Sequence, residues 1–183
     1  MTDSAPKNGS VSTNGSVSTN GGGSANGGGS ANGGGSANGG ASAVVGRWRP
    51  VLVRGGLALF GVLHVCWGVP AVLTPRWFFD TFPGFGLAWT AGYPPYNSHL
   101  MTDVGAAFLT LGVMLLAAAW FDDRRVTAVV LTGVLIFSTV HLVFHLVQVG
   151  TLSSADLLAS RGTLLLGVLG PGALLMLDRR GRA

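Results

Sequence analysis

Four stretches of the chain, at about residues 51–73, 99–120, 126–149 and 160–177, are long and almost wholly apolar. Each approaches the roughly 20 residues a helix needs to cross hydrocarbon. Helix is the conformation expected in all four, because lipid offers the backbone no hydrogen-bond partners. Polar positions gather between them. The second and third runs are joined by the short "FDDRR", the first and second by the long "PRWFFDTFPGFGLAWTAGYPPYNS". Gly and Pro at 83–86 and 92–95 exclude a continuous helix through that loop. Its Trp77, Phe78, Phe79, Trp89, Tyr93 and Tyr96 suit the headgroup zone of a bilayer.

Ahead of the first run the pattern reverses. "NGSVST" occurs twice and "NGGGSA" three times within residues 1–43, a stretch with almost no apolar surface to bury. The pattern predicts a disordered, low-complexity Gly/Asn/Ser-rich tail over 1–43 and a four-helix transmembrane domain over 44–183. The tail holds no apolar core of the kind a signal peptide needs.

Composition agrees with a membrane. Charged residues make up 10% of the chain, against roughly 25% in ordinary soluble domains. All the acids are aspartates, and a single cysteine, Cys66, excludes an intrachain disulfide and zinc-finger spacing. A net charge of +4 acquires meaning only from its distribution. With four spans, the tail, the second connection and the C-terminus share a side, which carries Lys7, Arg47, Arg49, Arg54, Arg124, Arg125, Arg179, Arg180 and Arg182. The other side has only Arg76 and Arg161. This asymmetry predicts a multi-pass protein of the bacterial inner membrane with both termini cytoplasmic, and it removes nucleic acid as a partner.

Every histidine lies in or at the edge of a span: His64, His99, His141 and His145. Asp103 joins them as an acid inside a span. At 1.5 Å per residue, His141 lies roughly 12 Å and His145 roughly 6 Å below the outer end of the third span. His64 comes to about the depth of His141, His99 to the mouth, and Asp103 level with His145. Ser138, His141, His145 and Gln148 share one helical stripe, as do His99, Asp103, Ala106 and Thr110. Gly61 and Gly68 near His64, and Thr163, Gly167 and Gly170 on the fourth span, offer small faces for close helix approach. These stripes are expected to point into the bundle.

Ionisable groups within a membrane point to a site or pathway, or to hydrogen bonds that hold the bundle together. His64, Asp103, His141 and His145 offer three imidazoles and a carboxylate, a candidate set for a transition metal. His64 and His141 are the candidates for holding a haem, with Gly61 and Gly68 leaving room for the ring. His99 and Asp103 are the candidate catalytic pair for acid–base work on a membrane-soluble substrate such as a quinone or isoprenoid, because histidine titrates near neutral pH. Under the packing reading the chain is a structural or accessory subunit. Candidate partners are the lipid bilayer, a membrane-soluble small molecule, and another membrane protein or a second copy of the chain. Cys66 points about 160° away from His64 and reads as a packing residue; Pro70 reads as a kink.

The segment "PRWFFDTFPGFGLAWTAGYPPYNSHLMTDVGA", followed by "HLVFH" in the third span, resembles a group of small four-span membrane proteins of GC-rich bacteria. Their arrangement is similar to that of DoxX-like proteins. The resemblance covers residues 50 to 177 and implies a four-helix membrane bundle; DoxX-like proteins are associated with redox partners or quinone metabolism.

Overall fold

The computed structural model describes residues 37–179, with side chains from Trp48 onward. Four helices are long and apolar enough to cross a membrane: Trp48–Leu73 within the longer α1 (Ala37–Leu73), α3 (Ser98–Phe121), α4 (Arg124–Val147) and α5 (Ser154–Arg179). The chain is an all-α, multi-pass membrane protein. The expected disordered tail falls outside the described residues up to residue 36, and α1 starts at Ala37.

Local chemistry sets the helix ends. α1 runs through Pro70 and stops at Leu73, because Pro75 forces Thr74 out of helical geometry (φ −136°). Between α3 and α4 only two residues remain. Asp122 takes the left-handed conformation that closes α3, and the Asp123 carboxylate accepts from the backbone N–H of Arg125 and Val126 at 2.8 and 2.9 Å to open α4. Asn97 caps α3 in the same way through Leu100 N. Ser153 caps α5: its hydroxyl accepts from Asp156 N–H and donates to the Asp156 carboxylate. The fourth helix therefore begins at Ser154, six residues before the apolar run that marks it in sequence.

The long connection is structured. α2 (Pro75–Thr81) is followed by a hairpin of β1 (Pro83–Gly84) and β2 (Leu87–Ala88), antiparallel, with Pro83 opposite Ala88. Phe85 and Gly86 form its two-residue turn, both at positive φ as a primed turn demands. Trp89, a short 3₁₀ turn at Thr90–Gly92, and Tyr93 lead on towards α3.

α1 packs along α3, α4 along α5, and the two pairs join through α1 with α5 and α3 with α4. The intimate pair is α1–α3, for a reason visible at the glycines. A Cβ at Gly68 would stand 2.6 Å from Leu109 N and 2.9 Å from Gly105 O; one at Gly112 would stand 2.9 Å from Val65 N. Gly61, Gly68, Gly105 and Gly112 thus let two backbones meet, as small residues do between membrane helices. The aliphatic core lies at the end with the α3–α4 turn, where Val53 and Leu57 meet Leu115, Leu131, Val134 and Leu174. The opposite half is filled by aromatic rings instead. Outward faces carry Leu59, Val62, Val113, Ile136, Leu165 and Leu169, all exposed, as lipid contact requires.

Candidate functional site

In the half away from the aliphatic core, ring contacts run without a break from α2 to α4. Phe78 meets Phe82, Phe82 meets Trp67, and Trp67 meets His64 and Phe108. Phe108 then meets Phe137 at 5.7 Å, and Phe137 stacks on His141 with 12° between the planes. His141 and His145, one turn apart on α4, bring their ring centroids within 4.8 Å.

His64 is buried and uses its Nδ1–H on the Phe60 carbonyl at 2.8 Å, one turn back on its own helix. Phe108 lies against both His64 and His141, with centroids at 5.7 and 6.4 Å, so an aromatic ring sits between these helices where the haem reading needs a plane of open space. Among the described residues no three His, Cys, Asp or Glu side chains gather closely enough to hold a metal ion. His64, Asp103, His141 and His145 are therefore not assembled as a ligand set, for a plain geometric reason. Asp103 lies on the outside of α3, 62% exposed, where its carboxylate takes the His99 Nδ1 at 2.7 Å. Ala106 and Thr110, on the same stripe, are exposed too, so this face looks away from the bundle rather than into it. The candidate pair His99–Asp103 does meet, but apart from the other histidines.

On the α4 stripe Ser138 is buried and His141 and His145 are half-buried, while Gln148, just past the end of α4, is exposed rather than turned inward. On α5 only part of the small face is used, with Gly170 against the Phe60 ring while Thr163 is exposed. Cys66 is exposed on the lipid side of α1, so it faces away from His64 but does not pack.

Two further residues complete the site: Tyr93 and Arg161. The Tyr93 hydroxyl stands 2.9 Å from His145 Nδ1 and 3.3 Å from the Gln148 carbonyl. A carbonyl only accepts, and a phenol has one proton. Both contacts are satisfied when His145 Nδ1–H donates to the Tyr93 oxygen and Tyr93 O–H donates to Gln148. Burial raises the Tyr93 pKa above its ordinary value, outweighing the Arg161 charge that lowers it, so the phenol stays neutral. Arg161 crosses from α5 to donate to the carbonyls of His145 and Leu146 at 3.0 and 3.3 Å, satisfying orphan acceptors at the end of α4. Arg161 carried a signal in the sequence, being one of two basic residues on its side. Tyr93 carried none beyond its place in an aromatic loop.

Among the four histidines, His141 alone has neither ring nitrogen in a hydrogen bond with a described residue. His64 has Phe60, His99 has Asp103 and His145 has Tyr93, but no hydrogen bond reaches the His141 ring from any described residue. His141 also lines a groove of about 530 Å³ along the flank of α4, with Gly133, Ile136, Phe137, Val140 and Phe144. Ile136, Val140 and Phe144 are exposed, so the groove opens sideways from the bundle.

No family model matches the chain, and no curated protein or solved structure matches it significantly.

Proposed function

We propose that this is a protein of the bacterial inner membrane, with both termini cytoplasmic, that binds a quinone- or isoprenoid-like molecule in the lateral groove of α4. The observation that carries the reading is His141: it is the one histidine with no hydrogen-bond partner among the described residues, and it borders an apolar groove. An imidazole held in hydrocarbon without a partner is costly, and a ligand carbonyl or hydroxyl relieves that cost. Phe137 and Phe144 offer flat faces to a ring, and Ile136 and Val140 offer apolar wall to an isoprenoid tail. The sidedness rests on nine basic residues against two. The resemblance to DoxX-like proteins points towards the same quinone chemistry.

Titration of the purified protein with a short-chain quinone, read by quenching of tryptophan fluorescence, tests the reading. Saturable binding is expected, weakened about tenfold in His141→Phe, which keeps a ring but removes a hydrogen bond worth about 1.4 kcal/mol. His99→Ala is expected to bind like the parent. Absence of saturable binding, or equal affinity in His141→Phe, overturns it. A structural or accessory role is the second reading, favoured by the way His64, His99 and His145 are each satisfied within the chain; on that reading the titration is flat.

A further inference from the structure

The outer face of α3 carries a regular seam. His99, Asp103, Ala106, Thr110, Val113 and Ala117 follow alternating steps of four and three residues; the first five are exposed and Ala117 partly so. Such steps repeat every seven residues, the period that keeps one face of a helix against a second helix. Asp103 and Thr110 stand two residues from Gly105 and Gly112, about 160° round the helix. The seam therefore lies opposite the contact with α1.

Its composition differs from that of the other lipid-facing surfaces. Outward positions of α4, such as Val129, Ile136, Val140, Val143 and Val147, are large and aliphatic. The same aspect of α3 shows an ionisable pair and then Ala106 and Thr110, residue types through which membrane helices approach one another. Depth sharpens the contrast. The 24 residues of α3 extend about 36 Å, against roughly 30 Å of hydrocarbon. Asp103 stands about 8 Å along the axis from Ser98, inside the hydrocarbon edge. Ionisable side chains at that depth face a packed interior or a partner rather than lipid.

The pair itself indicates which partner. His99 Nδ1 meets Asp103 Oδ2 at 2.7 Å, which leaves His99 Nε2 and Asp103 Oδ1 without a partner among the described residues. Donor and acceptor together make a set complementary to itself. About a twofold axis along the membrane normal, Nε2–H of each imidazolium faces the free carboxylate oxygen of the other copy. Two imidazoliums and two carboxylates then form one cluster without net charge. An unrelated protein would have to bring an acid and a base to the same depth; a second copy brings both by symmetry.

We propose that the outer face of α3 is the interface of a homodimer, in which two α3 helices pack side by side and their His99–Asp103 pairs join.

Single cysteines in a Cys66→Ala background, oxidised in lipid vesicles holding the full chain, test the seam. Ala106→Cys, Thr110→Cys and Val113→Cys should each form disulfide-linked dimers about tenfold faster than Ile136→Cys, which is equally exposed but lies on α4. Energy transfer between labelled copies, followed as the protein is diluted in lipid, gives the dissociation constant of the dimer. Asp103→Asn keeps the shape and should raise that constant about tenfold, the scale of one charge-assisted hydrogen bond. A parent that stays monomeric at every dilution overturns the proposal, as does a dimer that links no faster along α3 than at Ile136. A dissociation constant unchanged in Asp103→Asn overturns the joined pairs.

Discussion

The hydroxyl of Tyr93 meets Nδ1 of His145 at 2.9 Å across 52 residues of sequence, and this contact joins the α2–α3 connection to the end of α4. The two rings also meet edge to face, with centroids 4.9 Å apart. Tyr93→Phe keeps the ring contact and deletes the hydrogen bond. It should cost about 0.6 kcal/mol of stability, the average for such bonds between membrane helices. A double-mutant cycle with His145→Ala, read from denaturant midpoints, should give a coupling of that size. A coupling of zero would show that the two groups do not sense each other.

The same phenol makes a pH prediction. Burial raises its folded pKa above the ordinary 10.0, so the folded state holds the proton more tightly than the unfolded one. The stabilisation is fully present below about pH 10 and is lost as pH rises through the folded pKa. Phenolate absorbance in a Tyr96→Phe background, which leaves Tyr93 alone, should titrate above free tyrosine. A midpoint at or below that of free tyrosine counts against the packing described.

Close approach of α1 and α3 can be tested at one atom. Gly68→Val puts carbon where Leu109 N and Gly105 O already stand, and it should destabilise by about 3 kcal/mol or more. Gly133→Ala, with nothing within 4 Å, should be close to neutral. Thermal melts of both variants in one detergent decide it; similar melting temperatures would sink the glycine interface.

His64 and Asp103 belong to separate arrangements, one in the ring chain with His141 and the other with His99, so their energetic effects should add. The summed cost of His64→Ala and Asp103→Ala should match the double variant within about 0.5 kcal/mol. Metal content per protein should be the same in both single variants as in the parent. A stoichiometric metal lost from each variant would restore the shared site.

Sidedness is open to thiol labelling in a Cys66→Ala background. Ser98→Cys should react with an impermeant reagent from outside the cell, and Arg125→Cys only after permeabilisation. Both positions are exposed, unlike Thr127, which is buried and would resist the reagent from either side. The reverse pattern inverts the topology.

The spans were legible because hydrocarbon demands long apolar runs, and the runs are there. Their ends were less so. The start of α5 is polar, "SADLLASR", and only the Ser153–Asp156 cap shows why helix begins there. α2 escaped notice because seven residues between prolines carry no periodic signal. Depth along a span followed from counting residues, which is why His141 and Phe108 do meet His64's neighbourhood. Direction around the helix did not. Spacing says that His99, Asp103, Ala106 and Thr110 share a face, but not which way the face looks, because glycines elsewhere on α3 had already claimed the contact with α1. Gly105 and Gly112 set the inner side of α3, and Asp103 was left outside by its offset from them.

The α2–α3 connection is fastened to the α4–α5 end of the molecule at three points. Trp89 Nε1 donates to Asp156 at 3.2 Å, Thr151 N–H donates to the Gly92 carbonyl at 2.8 Å, and Tyr93 holds His145. These contacts close the connection over the α4–α5 end in this structure. If the proposed groove is used, its ligand enters through the bilayer, past Ile136 and Val140, and is selected first by its solubility in hydrocarbon. The molecule would sample the pool of lipids around it and ignore the aqueous phase on either side.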